Sequence, residues 1–446
     1  MDKHTTAGMI LSLNTSFKTT AAEIFLRSYS STTIEVKDQK IDAFDTARDI
    51  GAGLRVLVGE RMGFAFTTDF SSSGLKTLVQ AAVTNAQNSE PDRIHALPEN
   101  QTSFYPSVTI YDPEIVSLSE REKIDRVMAM EREAFAVDPR IKRIRKASAS
   151  FSNAETLIMN TKGAEVAYAS TACSSSIEAV AEENGESQAG SESDVSRFYR
   201  KLKIEEVGRM AAQKALDLLG AKHMDSLKAP VLLDASVAQG FLALLASGFS
   251  AESVQKKKSL FMGKLDKAVL SPDITVLDNG LLAGGLGTAP CDDELVPMQT
   301  KRIIDRGRLT MFLHNTYTAK KDNTVSTGNG VRGTFRGIPG VSITNLHIEP
   351  GKATLAELIQ SVQRGLYVTE VMGMHTANTI SGDFSVGATG FWIERGEKAY
   401  PVREITIAGN ILDLMKNVDA AGSDIRFFGR IGCPSLRVPE LSIGGT

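Results

Sequence analysis

The amino-acid sequence predicts an α+β protein with an N-terminal strand meander and helices, a middle α/β unit, and a sheet-rich, barrel-like C-terminal unit. Three observations support this prediction: β-type runs near the start, helical spacing on both sides of a set of strands, and dense glycine-rich turns after residue 230. The 446 residues are enough for two or three packed units. We place these units at residues 1–90, 91–225 and 226–446.

The first unit begins with a predicted meander of strands. Between residues 21 and 68, runs rich in β-branched and aromatic residues alternate with short polar breaks. A helix is expected to follow, because Ser71–Ser73 offer N-cap hydroxyls and apolar residues then recur at helical spacing to about Gln87. Four prolines and little periodicity at residues 88–118 predict the first linker.

The middle unit is predicted to contain helix, strands and helix in that order. Apolar spacing places the helices at Ser119–Val137 and Lys203–Leu219, and Gly220 ends the second. The strands are expected at Ile141–Phe151, Glu155–Asn160 and Glu165–Val180. The polar segment 182–194 is interpreted as a surface loop.

The third unit is predicted to be sheet-rich and barrel-like around one buried helix. After a short apolar strand near Val231, the segment from about Ser236 to Gly248 is apolar nearly all round, which is typical of a buried helix. Short β-type runs separated by glycine-rich turns follow, interrupted by a predicted helix at Leu355–Arg364. Open strand edges in this unit would favour a dimer.

Composition excludes several classes of protein. The formal net charge of −3 and a sequence pI near 6.2 give no basic field, so nucleic acid is not expected as a partner. No apolar stretch reaches the ~18 residues of a spanning helix, so no membrane association is expected. The three cysteines are far apart and lack C-x-x-C spacing, which favours a reducing, cytoplasmic location.

Local motifs for catalysis or metal binding are weak. None of the six histidines begins an H-E-x-x-H motif, and His347 with Glu349 would make an incomplete site. Cys433 lies in a turn between Gly432 and Pro434, where a free cysteine is usually a small buried hydrophobe. A nucleophile there, or at Ser381, would need a nearby base, and His375 is the nearest histidine in sequence to Ser381.

Several segments form an ordered set of more specific motifs. They are STGNGVRG at 326–333, GLYVTEVMG at 365–373, SGDFSVGATGFWIERGE at 381–397, YPVREITIAGN at 400–410 and the terminal GCPSLRVPELSIGG. In this order they resemble the TldD/PmbA family, also called modulators of DNA gyrase. The first unit, with SSSGLKTLVQAA and NSEPD, is also similar to that family, so the resemblance covers nearly the whole chain.

The resemblance implies a subunit without its own metal centre. The catalytic, TldD-like kind carries H-E-x-x-x-H on the buried helix of the third unit and a cysteine near the C-terminus as zinc ligands. Here Ala243, Leu244 and Gly248 stand at the motif positions, and Cys433 matches the third ligand. None of the first three can bind zinc or move a proton. The chain therefore resembles the PmbA (TldE-like) kind, with no cofactor of its own and zinc expected in the partner subunit.

The function implied by the resemblance is that of a non-catalytic, substrate-guiding subunit of a heteromeric zinc metallopeptidase. Its expected partners are a TldD-like catalytic subunit and an unfolded or flexible peptide, which would add as a strand to an open sheet edge; the isolated chain is expected to form a homodimer. Candidates for lining the peptide chamber are His375, Asn378, Ser381, Asp383 and Phe384. Two alternatives stay open: an autonomous hydrolase using Cys433 or a serine of residues 381–385, and a regulator that binds gyrase or another macromolecule.

Overall fold

The computed structural model describes residues 2–98 and 104–445, and it confirms a mixed α+β fold. Part of the predicted linker, residues 99–103, lies outside the described residues. Most described strands belong to one of three six-stranded sheets. No helix in the described ranges is long and apolar enough to cross a lipid bilayer.

The first sheet joins the first and middle parts of the chain. Its strands are β1 (Ala21–Lys37), β2 (Lys40–Val58), β3 (Arg61–Thr67), β4 (Ile141–Asn160), β5 (Glu165–Glu183) and β6 (Glu186–Ser196). They lie in the order β3-β2-β1-β4-β5-β6, and every neighbouring pair is antiparallel. Because β1 pairs with β4, one continuous sheet spans the units predicted at 1–90 and 91–225; the boundaries themselves stay predictions.

Helices pack on this sheet through their apolar residues. They are α1 (Lys3–Thr15), α2 (Ser72–Asn88), α3 (Pro113–Ser117), α4 (Glu120–Ala136) and α5 (Ile204–Asp217). The predicted N-cap of α2 is confirmed, since the Ser71 hydroxyl accepts from the Gly74 amide at 3.1 Å. Helix α4 begins with a capping box between Ser119 and Glu122. Two apolar cores result, one under α1 and α2 and the other under α4 and α5.

The polar segment 182–194 is not a loop, as the sequence predicted, but a tight turn followed by edge strand β6. Its low hydrophobicity concealed the strand, because an edge strand buries little surface. One face of β6 packs closely against helix α5 at Gly190, where an added Cβ would lie 2.3 Å from the Ala215 amide nitrogen. Glycine therefore lets helix and strand approach closely.

The third unit holds the remaining elements. Its strands are β7 (Leu227–Leu233), β8 (Val276–Asn279), β9 (Thr300–Asp305), β10 (Arg308–Leu309), β11 (Gly330–Val331), β12 (Gly340–Val341), β13 (Leu346–Ile348), β14 (Arg364–Met372), β15 (Asp383–Glu394), β16 (Glu397–Asn410), β17 (Ala420–Ala421), β18 (Arg426–Phe428), β19 (Ile431–Cys433) and β20 (Leu436–Gly444). Its helices are α6 (Ala235–Ala246), α7 (Ala251–Gln255), α8 (Thr316–Lys321), α9 (Leu355–Gln360) and α10 (Ile411–Lys416). The helix predicted at Leu355–Arg364 thus ends earlier, because Arg364 already begins β14.

The barrel prediction is confirmed. Strands β16, β15, β14, β7 and β20 lie side by side, and β16 also pairs with β20, which closes a five-stranded barrel. A second sheet follows the order β10-β9-β8-β13-β19-β18. Helix α6 packs into the core of this unit through Phe241, Leu242 and Leu245, which are fully enclosed, but it is not buried all round, because Ala243 and Leu244 lie on a partly exposed face.

Closure of the barrel pairs the edges of its strands, whereas the second sheet of the third unit keeps two short edge strands, β10 and β18. A long free edge lies elsewhere, on β2. Strand β3 covers only Ala52–Val58 of β2, and no described strand pairs with its outer side over residues 40–51. We call residues 40–51 the β2 arm. Within it, residues 45–48 are exposed on both faces of the sheet.

Candidate functional site

Helix α6 and the turn after it carry the positions that the family resemblance assigns to the zinc motif. The helix begins after Asp234, whose carboxylate accepts from the Ser236 amide at 2.9 Å. Ala243 and Leu244 lie on its half-exposed face. Gly248 lies in the turn after the helix, buried, where a Cβ would come within 3.0 Å of the Phe261 ring.

These residues do not fit a zinc ion. Zinc in proteins is held by imidazole nitrogen, thiolate sulfur or carboxylate oxygen, and none of Ala243, Leu244 and Gly248 has such an atom. The packing around Gly248 also leaves little space for a larger side chain. Within residues 2–98 and 104–445, no group of three or more His, Cys, Asp or Glu residues has the geometry of a metal site.

Cys433 is brought next to this helix, because β19 packs against α6. Its side chain is fully buried. Burial, together with the nearby Asp424 charge, raises the pKa of the thiol well above its ordinary value. The sequence predicted a small buried cysteine without an adjacent base, and in the described part of the chain no cation opposes the rise in its pKa.

We expect Cys433 to be inert in the native chain. A thiol reagent should label it in denaturant but not in native buffer at pH 7–8.5. The native thiol keeps its proton to a higher pH than the thiol of the unfolded chain, whose pKa is ~8.5. The free energy of unfolding is therefore unaffected by the ionisation of Cys433 below that pKa and falls as the pH rises above it, because the unfolded chain then loses the proton first.

The variant Cys433→Ala, followed by denaturant unfolding between pH 7 and 10, checks this pH dependence. It should lose less than the ~2–5 kcal/mol typical of larger core truncations and should show a shallower decline at high pH. Burial also raises the pKa of Cys173, to about 12. Cys173→Ala is therefore a second test of the same effect and should also reduce the decline in stability at high pH. Rapid native labelling of Cys433 would contradict the prediction.

The loop between β14 and β15 holds most of the predicted chamber residues in a network of turns. The Asn378 side-chain oxygen accepts from the Ile380 and Ser381 amides at 2.8 and 3.0 Å. The Ser381 hydroxyl donates to Asp383 at 2.8 Å, and Asn410 donates to the other Asp383 oxygen at 3.0 Å. These bonds from Asn410 and Ser381 lower the pKa of Asp383. The arrangement shapes the loop.

The same loop lies over helix α6. His375, Asn378, Ser381 and Asp383 face solvent. Met374 contacts Gly240, whose added Cβ would lie 3.4 Å from the methionine methyl carbon. The structure therefore brings the loop beside the half-exposed face of α6 that carries Ala243 and Leu244.

Phe384 differs from the other four residues. It is buried in the core of the third unit, and its ring meets that of Phe241 on α6 edge to face, with centroids 4.9 Å apart. Phe384 thus packs the start of β15 against α6, while the other four residues face solvent.

A cleft of about 610 Å³ separates the middle and third units, and the sequence did not predict it. One wall comes mainly from β5, β6 and α5. The other comes mainly from the start of α6 and from β14, β15 and β16. Its charged and aromatic lining includes Glu192, Lys214, Asp234, Tyr367, Glu370, Phe391 and Lys398. Because Ser236 and Val237 of α6 line it too, the cleft reaches the helix with the motif positions.

The charged groups of the cleft are unevenly solvated. Burial raises the pKa of Glu370 and lowers that of Lys398. The Lys398 ammonium lies 4.7 Å from the Tyr367 ring centroid, and the Tyr367 hydroxyl donates to Asp234 at 2.6 Å. Glu192 forms ion pairs with Lys214 and Arg426 at 2.9 and 2.8 Å. The cleft therefore presents the carboxyl group of Glu370, the amino group of Lys398 and aromatic faces to a ligand.

A buried ion network joins the first sheet to the third unit, and it too was missed from the sequence. Arg55 of β2 bonds to Glu294 at 2.9 Å and to Glu23 of β1 at 3.0 Å. Arg332, from the segment STGNGVRG, bonds to the other oxygen of Glu23. Glu23, Glu294 and Arg332 have no exposed side-chain surface. This part of the motif therefore holds the units together.

Comparison with known families gives the class of the protein. Models of the PmbA/TldA metallopeptidase domain 1, central domain and C-terminal domain match residues 22–86, 113–219 and 226–445. The chain belongs to the PmbA/TldD metallopeptidase family.

Relatives cover nearly the whole chain. Metalloprotease PmbA of Escherichia coli O157:H7 is 30% identical over 96% of this chain and 93% of that protein. A metalloprotease TldD homolog of Haemophilus influenzae is 28% identical over 89% of this chain and 87% of that protein.

Two solved structures are also similar. A protein from Thermotoga maritima proposed to be a modulator of a DNA gyrase has a TM-score of 0.93 and 29% identity, covering 99% of this chain and 100% of that chain. TldE from Thermococcus kodakarensis has a TM-score of 0.89 and 22% identity over 99% of this chain and 100% of that chain, which shows a shared fold.

Proposed function

We propose that this chain is the non-catalytic, substrate-guiding subunit of a heteromeric zinc metallopeptidase that degrades unfolded or flexible peptides. One observation carries the proposal: the positions that the family resemblance assigns to the zinc motif, on α6 and in the turn after it, hold Ala243, Leu244 and Gly248, none of which has a donor atom. The zinc and the general base would then belong to a TldD-like partner. We place the assembly in the cytoplasm, because the three cysteines are free and buried.

The cleft between the middle and third units supports a substrate-guiding role. Its volume of about 610 Å³ suits a stretch of extended peptide, and Glu370, Lys398 and the nearby aromatic rings offer contacts to side chains of either charge. It also leads to α6 and hence to the face beside the motif positions.

Peptide addition to the strand edge at this cleft is not favoured. The outward amides of Ser193 and Val195 on β6 bond to the carboxylates of Glu192 and Asp194, at 3.0 and 2.9 Å. The Ser191 carbonyl accepts from Lys214 at 3.2 Å. Since these backbone groups are already satisfied, we expect the peptide to be held mainly by side chains.

An autonomous hydrolase finds little support in the geometry. Cys433 is fully buried with a raised pKa, and the Ser381 hydroxyl donates to Asp383. Among the described residues, no histidine hydrogen-bonds to either group, so neither has the base that a nucleophile needs. In the parts of the chain that the structure describes, no surface feature specifically favours the alternative of a gyrase-binding regulator.

Reconstituted cleavage tests the proposal. The isolated chain should not cleave an unfolded peptide, whereas its mixture with a TldD-like subunit from the same genome should do so and should stop when a chelator is added. Chelator-sensitive cleavage by the isolated chain, with about one zinc per chain, would overturn the proposal. Cleavage that resists chelators but is stopped by thiol reagents would favour the autonomous hydrolase.

Within the reconstituted complex, a cleft variant tests the guiding role. Glu370→Lys should reduce the cleavage rate roughly tenfold at limiting peptide, equivalent to ~1.4 kcal/mol, because it reverses a charge that lines the cleft. Glu120→Lys, exposed on α4, is the matched control and should leave the rate unchanged. If both variants behave like the native chain while the complex stays assembled, the cleft does not guide the peptide.

The free edge of the β2 arm is where we expect association with a second subunit, either the catalytic partner or another copy. Ala47→Lys places a charge in the middle of that edge and should weaken association about tenfold or more, measured by sedimentation at micromolar concentration. Gln213→Lys, exposed on α5, is the control. Equal association of both variants would place the contact elsewhere.

A further inference from the structure

A second polar cavity, of about 170 Å³, lies between the first sheet and the third unit. Arg27 of β1 and Tyr168 of β5 line it from the sheet, and Arg197 follows the end of β6. Arg332 and Arg430 line it from the third unit. The cavity is thus surrounded by arginines contributed by both parts of the molecule, and it is separate from the larger cleft beside α6.

Two of these arginines, Arg27 and Arg430, form no ion pair with a described carboxylate. The Arg27 side chain makes no ion pair and no hydrogen bond within the described parts of the chain, and its Nε atom is buried without a partner. Its guanidinium lies over the face of the Tyr29 ring, 5.9 Å from the centroid, and its charge acts on the Asp49 and Asp293 carboxylates without forming an ion pair to either. Arg430 likewise forms no ion pair to a described carboxylate, although it is exposed at the cavity. An arginine held at a cavity in this way has donors available for a ligand.

Arg197 forms the back of the cavity. Its guanidinium donates to the carbonyl oxygens of Thr171, Gly285 and Leu286, at 3.1, 3.3 and 2.5 Å, and to no carboxylate. Burial, with the nearby charges of Arg430 and Arg27, lowers the pKa of Arg197 to about 10. Three cations are therefore close enough to repel one another.

The carboxylates around the cavity do not balance these cations. Glu23 and Glu294 are committed to Arg55 and Arg332 in the buried ion network. Asp293 accepts from the Arg332 backbone amide at 2.6 Å, and burial raises its pKa although that bond and the charges of Arg332, Arg27 and Arg430 oppose the rise. Asp292 accepts from the Gly330 amide at 2.8 Å, and burial raises its pKa further. Positive charge therefore exceeds negative charge.

We propose that this cavity binds one oxyanion group, a carboxylate or a phosphate, between Arg27 and Arg430. The planar fork of a guanidinium matches both groups with two parallel hydrogen bonds, and the low dielectric of the interior strengthens such bonds. A volume of about 170 Å³ admits one such group with a few attached atoms. The group comes either from free inorganic phosphate or from the terminal carboxylate of a peptide; only the second source rests on the proposed function.

Ligand-dependent thermal unfolding of the isolated chain tests this site. The probes are inorganic phosphate and two copies of one short peptide, with a free carboxyl or an amidated C-terminus, each compared with chloride at equal ionic strength. We expect phosphate or the free-acid peptide to raise the Tm. The increase should require at least tenfold more ligand in Arg27→Gln and Arg430→Gln and should be unchanged in Arg121→Gln, an exposed control on α4.

The arms of the experiment separate the sources. A response to the free acid but not to the amide identifies a peptide terminus, and a response to phosphate alone identifies a free oxyanion; both support the site.

Without ligand, Arg27→Gln should be at least as stable as the native chain, because it relieves repulsion among the arginines. Marked destabilisation would indicate a structural role instead and would overturn the proposal. An equal response of Arg27→Gln, Arg430→Gln and Arg121→Gln, or no response beyond chloride, would also overturn it. Since no partner subunit is present, failure here leaves the proposed peptidase function untouched.

Discussion

Replacing Arg332 by alanine should lower the free energy of unfolding by about 3–5 kcal/mol, because it leaves the Glu23 carboxylate buried with only one cation. Both side chains are completely enclosed, so water cannot replace the lost guanidinium. The variant should also loosen the contact between the first sheet and the third unit, since Arg332 and Glu23 lie on opposite sides of it. Denaturant unfolding measures the loss.

The matched control is Arg336→Ala, four residues further along the chain. Arg336 pairs with Asp49 through two hydrogen bonds, at 2.6 and 2.8 Å, but both side chains are exposed. Solvent and salt screen such a pair, so its loss should barely move the midpoint of unfolding. The double variant Glu23→Gln with Arg332→Met should recover part of the stability lost in Arg332→Ala, because it removes the unpaired charge. If Arg332→Ala and Arg336→Ala are equally mild, the buried network does not hold the units together.

Replacing Phe384 by alanine should cost about 3–5 kcal/mol, the range found when a buried aromatic ring is truncated. The ring is 5% exposed and meets Phe241 edge to face, so its removal leaves a cavity between β15 and α6. Because the loop before β15 lies over α6, the same change should make that loop more accessible to proteases.

Phe384→Leu keeps most of the volume and should be clearly milder. His375→Ala and Ser381→Ala, in the same loop but exposed, should leave the midpoint of denaturant unfolding unchanged. These three variants separate a packing role from a chamber-lining role. A stable Phe384→Ala chain that loses cleavage in the reconstituted complex would instead indicate that Phe384 contacts the peptide.

Much of the local structure could be predicted because its causes are local. The Ser71 cap and apolar spacing predicted α2, and the apolar character of residues 236–248 predicted the buried helix α6. Boundaries failed where tertiary packing decided them. Edge strand β6 needs few apolar residues, and α9 ends at Gln360 because the chain then joins the barrel.

The candidate site divides in the same way. Sequence motifs alone indicated the family and showed that Ala243, Leu244 and Gly248 cannot bind zinc, because ligand chemistry depends on residue type. Sequence could not place Cys433, since burial raises its pKa through neighbours that come from other elements. Nor could it reveal the cleft around Glu370 and Lys398, which belong to different strands.

The sequence by itself determined the fold class, the barrel and its buried helix, and the absence of donor atoms at the motif positions of that helix. These features follow from side-chain type and from periodicity, which the linear chain already contains. Only the tertiary structure decided which edges are paired, where the cleft opens, and that Glu23, Arg55, Glu294 and Arg332 meet in one network. Their partners lie up to 309 positions apart, and charges that distant in sequence can be matched only when folding removes the water between them.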